Sequence, residues 1–376
     1  MLAAVLLIRV SAWSHSGQGS LTPPGPPEPT MKTLAQVESR TPISGAPITI
    51  TTSGSYYLTT NLSVVAGTAI TIATNGVTLD LNGFTISSTA PGALGAYGIL
   101  INSGLRDITI HNGHIQGTAT NDAQGNFGGG GFAYGISYVG QAPTNALVWR
   151  VSVSRCLGDG INLGTLSPTR AEDCVVHVAG ASGIVANAVK GYVAMSCGYP
   201  GIWGNVVSDC RGQSIGNGSG VCAVNSANNC YGSAINAVGV QAGVAQNCWG
   251  ISSAGDGVEA IVAMNCHGTS SSGNGITAGA TAQNCYGSAG GAGSGVYAVN
   301  AFNCYGIASG TGVDVYALRT ASGCYGSSTS GTGLSAQNAA FCVGNRSGGM
   351  AIEAAIANGC YASAGPNLIT HKYNMP

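Results

Sequence analysis

Ala245-Gln246-Asn247-Cys248-Trp249-Gly250 is followed by Ala263-Met264-Asn265-Cys266-His267-Gly268 and then by Ala282-Gln283-Asn284-Cys285-Tyr286-Gly287. The series starts at Cys230 and runs on through Cys304, Cys324, Cys342 and Cys360, with steps of 18, 18, 19, 19, 20, 18 and 18 residues. A second frame precedes each cysteine, as in Gly239-Val240-Gln241-Ala242, Gly257-Val258-Glu259-Ala260, Gly275-Ile276-Thr277-Ala278 and Gly295-Val296-Tyr297-Ala298. Such a unit is too short for two helices and a turn, and its brief apolar alternations between glycines suit short strands. Each unit reads as one coil of a solenoid whose equivalent residues stack about 4.8 Å apart. Alanine and cysteine fit a narrow interior, and the Asn before each cysteine suits a left-handed turn. Its side chain can reach the next coil, which predicts an asparagine ladder through Asn229, Asn247, Asn265, Asn284 and Asn303 beside a cysteine ladder.

The frame can be followed back through Cys210, Cys197, Cys174 and Cys156, with Asp209, Ser196, Asp173 and Arg155 in the place of Asn. Coil lengths vary, with steps of 13 residues from Cys197 to Cys210 and 23 from Cys174 to Cys197, which a left-handed prism of hexapeptides accommodates badly. The expected fold is therefore all-β: a right-handed parallel β-helix of about fourteen coils and three parallel sheets, roughly 70 Å long at the strand spacing. Helix is expected only in a short capping turn near Met31 to Val37.

Composition supports a folded chain. Of 376 residues 61 are glycine, 44% are hydrophobic and 7% are charged, with a net charge of −1. A disordered chain would combine low hydrophobicity with high charge. The 12 basic residues are scattered from Arg9 to Lys372 without a run, so a nucleic-acid partner is not expected. Leu2 to Ile8 is apolar and Ala12-Trp13-Ser14 resembles a small-x-small cleavage site, so residues 1–14 read as a signal peptide and the protein as extracellular or cell-surface. Residues 15–30 hold the Pro-rich SLTPPGPPEPT and read as a linker. An N-terminal cap over 31–60, the β-helix over 61–362 and a C-terminal tail over 363–376 complete the expected organisation. No other apolar run reaches the 18 residues of a membrane span.

Leu79-Asp80-Leu81-Asn82-Gly83-Phe84 lies within Val77 to Ile86, VTLDLNGFTI, and follows Gly54 to Leu62, GSYYLTTNL. On these segments the chain resembles the right-handed parallel β-helix proteins of the pectin-lyase-like superfamily, over roughly residues 31 to 362. The resemblance implies the fold. It leaves the chemistry open, because the superfamily includes lyases, hydrolases, adhesins and non-catalytic binders. It also implies that Asp80 and Asn82 are coil architecture, and that the sheet bearing the G-[VI]-x-A frame could floor a saccharide groove.

Thirteen cysteines invite a disulfide framework, but stacked equivalents have parallel Cβ vectors about 4.8 Å apart, beyond the roughly 3.5–4.5 Å of a relaxed bridge. They read as buried free thiols. Cys222, at the x of Gly220-Val221-Cys222-Ala223, is expected to face outward. No cofactor or metal is expected, since none of the six histidines shares a short Cys/His motif. Two outward stripes follow from the repeat. One carries Tyr231, Trp249, His267, Tyr286, Tyr305, Tyr325 and Tyr361, which suits either stacking support or sugar contact. The other is the x of G-[VI]-x-A, from Asn162, Val185 and Trp203 through Cys222, Gln241, Glu259, Thr277, Tyr297, Asp314 and Ser335 to Glu353. Trp203, Gln241, Glu259, Tyr297, Asp314 and Glu353 are its candidate substrate-binding residues.

Catalytic residues cannot be assigned from this pattern. Glu259 and Asp314 would stand about 14 Å apart and Asp314 and Glu353 about 10 Å at the strand spacing, against about 5–5.5 Å or 6.5–9.5 Å for glycoside hydrolysis. Arg150, Arg155, Asp159, Arg170, Glu172, Asp173 and His177 offer a lyase's acids and bases, though several occupy structural turns. The leading expectation is a secreted, non-catalytic β-helix that binds polysaccharide or another surface along an exposed parallel sheet, with a polysaccharide or cell-surface glycan as its partner. A polysaccharide lyase or glycoside hydrolase, and a structural adhesin or stalk module, stay open.

Overall fold

The computed structural model describes residues 39–91 and 95–375. The expected signal peptide, linker and capping turn lie outside the described residues. Among those described there is no helix, and parallel strand pairing runs from Thr41–Ile43 to Asn367–Tyr373. The described residues make about 17 turns, three more than the sequence suggests. The parallel β-helix implied by the resemblance is its architecture. Coils begin before residue 61 because Thr41–Ile43 and Gly54–Leu58 already pair with each other. They continue past 362 because Asn367–Tyr373 pairs along all of Ile352–Asn358, although this last stretch has neither the cysteine nor the glycine frame.

One coil shows how the repeat builds three sheets. Val240–Gln246 is a single strand that bends in the middle. Its first half, Val240 to Ala242, pairs with Val221 to Ala223 on one side and Val258 to Ala260 on the other, forming sheet 1. Its second half, Val244 to Gln246, pairs with Ser226 to Asn228 and Val262 to Met264, forming sheet 2. After a sharp turn at Asn247 and Cys248, Trp249–Ser252 pairs with Tyr231–Ala234 and His267–Ser270 in sheet 3. A Gly/Ser loop then returns to sheet 1. Ser252 fastens that loop: its hydroxyl donates to the Ala237 carbonyl at 2.5 Å and accepts from the Gly255 amide at 2.9 Å.

Side chains alternate in and out along each strand. Val240, Ala242, Ala245 and Cys248 point inward and are buried, while Gln241, Gln246 and Trp249 face out. The early coils fill the interior with Ile70, Ile72, Leu79, Leu81, Ile99 and Phe132, the later ones mainly with alanine, valine and cysteine. A buried Leu or Ile contributes roughly 1.5–3 kcal/mol and an alanine far less. The later coils therefore rely more on their ladder hydrogen bonds.

The turn between sheets 2 and 3 has one backbone conformation throughout. Asn229, Asn247, Asn265, Asn284 and Asn303 have φ between 50° and 53°, and Arg155, Asp173, Ser196 and Asp209, which replace Asn, lie between 50° and 59°. Asn tolerates this left-handed region best among residues with a side chain. The side chains also link coils: Asn265 Nδ2 donates to Asn247 Oδ1 at 3.2 Å, Asn284 to Asn265 at 3.1 Å and Asn303 to Asn284 at 3.4 Å. A separate link joins Asn229 Nδ2 to Asp209 Oδ1 at 3.1 Å, with no such bond between Asn247 and Asn229. Phe341 holds the same turn at φ 53° with its ring 69% exposed, so it carries the strain without the hydrogen bond. Phe341→Asn should raise stability by about 1 kcal/mol, read as a higher urea midpoint with an unchanged slope.

All thirteen cysteines are free; twelve are buried and Cys222 is half-buried. The ladder thiols are anchored by backbone carbonyls. Cys248 Sγ donates toward Gln246 O at 3.2 Å and Ala227 O at 3.4 Å, and Cys266 toward Met264 O and Ala245 O at the same distances. Burial pushes the Cys156 and Cys197 thiols up to about 12 and Cys174 to about 11, so these groups stay protonated and unreactive.

Candidate functional site

The outward row of sheet 1 runs in unbroken register from Trp203 through Cys222, Gln241, Glu259, Thr277, Tyr297, Tyr316, Ser335 and Glu353 to Leu368. Trp203, Gln241, Glu259, Tyr297 and Glu353 therefore share one line on one face. Asp314 does not belong to it. The coil after Cys304 is longer, and its frame is Asp314-Val315-Tyr316-Ala317, in register with Gly295-Val296-Tyr297-Ala298. Asp314 thus stands at the inward glycine position, fully buried, and pairs with the equally buried Arg346 at 3.1 Å. Tyr316 is the outward residue that the sequence reading missed. The repeated Val-Tyr-Ala was the signal for it.

The row is concave at both ends. Near Trp203 a cavity of about 610 Å³ is lined by Tyr138, Gln141, Asn162, Thr165, Leu166 and Val185 among others. Its wall, the segment from Gly164 to Pro168, is held in place: Asn187 and Asn205 each donate an amide N–H to Thr165 O at 2.9 Å, and Thr169 Oγ1 donates to Gly164 O at 2.7 Å. At the other end a cavity of about 440 Å³ is bordered by Tyr316, Leu318, Ser335, Gln337, Glu353 and Leu368. Trp203 is 40% exposed, so its ring is open to a ligand.

Between the cavities the row is polar. Gln241 Nε2 donates to Glu259 Oε2 at 3.4 Å. The pKa of Glu259 is raised, first by burial and then by the charge of Asp256. Asp256, which the sequence reading did not single out, sits in the turn just ahead of sheet 1. One of its oxygens accepts from the Asn274 amide at 2.7 Å, the other from Thr277 Oγ1 at 2.5 Å. Asp159 fills the equivalent turn earlier, accepting from Asn162 Nδ2 at 2.7 Å and the Ser182 amide at 2.9 Å. Burial raises its pKa, and its role is to join coils.

The other acids and bases around the first cysteines come together only in part: Arg150 and Asp173 line a cavity of about 270 Å³ with His114. Arg150, Arg155 and Asp173 occupy left-handed turns, and Arg170 and Glu172 form an exposed pair at 4.0 Å. Asp80 is architectural: Arg40 Nη1 donates to it at 2.9 Å, the Asn82 amide at 2.7 Å and Asn112 Nδ2 at 3.2 Å. His111, beside it, stacks on Trp149 with ring centroids 4.9 Å apart. Among the described residues no three His, Cys, Asp or Glu side chains form a group able to hold a metal ion.

Sheet 3 carries the aromatic stripe; stacking covers ring faces from His267 to Tyr325, while Trp249 meets Tyr231 edge-on at 67° and is 47% exposed beside a cavity of about 550 Å³. His267 and Tyr286 lie 4.5 Å apart, Tyr286 and Tyr305 5.3 Å at 7°, and Tyr305 and Tyr325 5.0 Å at 13°. Rings so stacked cover each other's faces and leave edges and hydroxyls to solvent, whereas a sugar ring needs an open face. On sheet 1 Tyr297 and Tyr316 are tilted by 56° at 5.3 Å, which leaves ring surface accessible.

No family model matches the chain, and no curated protein matches it. Among solved structures it is similar to the A-module of a mannuronan C-5 epimerase from Azotobacter vinelandii, with a TM-score of 0.35 and 14% identity over 86% of this chain and 91% of that one.

Proposed function

We propose that this is an extracellular, non-catalytic β-helix that binds a polysaccharide along the outward row of sheet 1. The supporting observation is the row itself: an in-register line of side chains that passes from one concavity to another and carries Trp203, Tyr297 and Tyr316 with open ring surface. Aromatic faces contact the apolar faces of sugars, and the amides and hydroxyls between them exchange hydrogen bonds with sugar hydroxyls. Binding without cleavage fits the carboxylates. Glu259 and Glu353 are five coils apart, about 24 Å at the strand spacing, and Asp256 has both oxygens engaged within the fold.

A glycan array followed by product analysis tests the reading, since it separates binding, cleavage and neither. Trp203→Ala and Tyr297→Ala should each weaken binding by roughly 1–2 kcal/mol. Stability should stay within about 0.5 kcal/mol, because both side chains lie outside the interior. Release of shortened products would make the protein an enzyme. Absence of any bound glycan would favour an adhesin or stalk.

A further inference from the structure

We infer that the glycan is a neutral linear polymer, spanning both concavities, and that chains rich in uronic acid are rejected. This rests on the glycan-binding reading and adds the substrate class to it. The charges along the row carry the argument. From Trp203 to Leu368 it has two ionisable acids, Glu259 and Glu353, and no Lys, Arg or His. Asp256 adds a third carboxylate beside Glu259. The residues lining the cavity at Trp203 include no charged side chain, and those lining the other include only Glu353. The described cations nearest the second cavity, Arg319, His371 and Lys372, belong to the adjoining bend and sheet 2 rather than to the row.

In a polymer with a carboxylate on every sugar, those near Glu259, Asp256 and Glu353 would meet negative charge and the row offers no guanidinium or ammonium to receive the rest, and a charge removed from water without a partner is strongly disfavoured. Neutral hydroxyls meet a suitable lining in Gln141, Asn162, Thr165 and Ser167, with Trp203 as the apolar platform. Length follows from geometry. Eight coil steps separate Trp203 from Glu353, about 38 Å at the strand spacing, or roughly eight sugars at one per coil. A ligand long enough to reach both concavities gains the second contact at high effective concentration.

The test is calorimetric titration of the full chain with neutral gluco- and manno-oligosaccharides of two to eight residues, and with oligogalacturonate and oligomannuronate of the same lengths. The expected results are at least tenfold tighter binding of neutral octamers than of neutral tetramers, and at least tenfold weaker binding of uronates. Glu353→Gln and Glu259→Gln should each narrow the ratio between the two classes. Uronate binding as tight as neutral binding, and weakened by Trp203→Ala, would overturn the neutral assignment while leaving the row as the binding surface. Binding of neither class, or binding indifferent to Trp203→Ala, would overturn both.

Discussion

Arg346→Met should lower the stability of the protein by about 3–5 kcal/mol, the range for breaking a buried ion pair by removing one partner. Arg346 and Asp314 have no exposed side-chain surface and meet at 3.1 Å. The same guanidinium nitrogen, Nη2, donates to the carbonyls of Gly312 and Thr332, both at 2.9 Å, so it ties together segments of consecutive coils. Burial pulls the arginine pKa down, and the charge and hydrogen bond of Asp314 push it back up. Without the arginine, Asp314 keeps the Ala308 amide at 2.7 Å but loses the ion pair to Arg346. The double variant Asp314→Asn, Arg346→Met removes the carboxylate charge as well and retains an acceptor for Ala308. It should regain at least half of the loss. Urea titrations of the two variants supply the comparison, and equal midpoints would show that the loss does not come from leaving the Asp314 charge in the interior.

The second large effect is expected at the glycine that closes each A-x-N-C-aromatic-G frame. A Cβ placed on Gly287 would run into the carbonyl of Gly295, which opens the next sheet 1 frame, and the same collision recurs between Gly250 and Gly257 and between Gly268 and Gly275. The obstacle is backbone, which cannot rotate away. Gly287→Ala should therefore destabilise at the upper end of the ~1–3 kcal/mol typical of overpacking. Gly279→Ala is the control, because its nearest new neighbour is 3.8 Å away, and it should change stability by no more than about 0.5 kcal/mol. Similar unfolding midpoints for the two variants would mean that the coil can open at this corner and that the narrow interior is not what selects glycine.

The repeat was legible because it is a physical constraint written many times. Asn at the left-handed turn, glycine at the pinched corner and cysteine inside recur whenever one coil must lie on the next, so periodicity alone located them. What recurs only once was harder to read. Asp314 looked like an outward residue because Gly312-Val313-Asp314-Val315 imitates the sheet 1 frame, yet the strand register starts two residues later and sends the side chain inward. Its partner Arg346 lies 32 residues away, where no local pattern could pair them. Asp256 was missed for a related reason. It lies one residue ahead of the recognised frame, and its bonds to Asn274 and Thr277 arise only when two coils are stacked. The concavity at Trp203 depends on the bulge of the chain around Thr165, a departure from the repeat, and repeats are silent about their own interruptions.

Cys222 gives the most direct access to the central claim, that sheet 1 carries the ligand. It lies in the row between Trp203 and Gln241 and is the one described cysteine that is not buried. Burial raises its pKa, with Glu259 adding to the effect, so alkylation of the native protein should be slow but confined to this thiol. The measurement is the rate of Cys222 modification with and without a saturating neutral octasaccharide, followed by mass spectrometry. The account predicts at least a fivefold slowing that Trp203→Ala diminishes at the same sugar concentration. A glycan that binds yet leaves the rate unchanged, with its affinity altered instead by substitutions at Tyr286 and Tyr305, would contradict it and move the site to sheet 3.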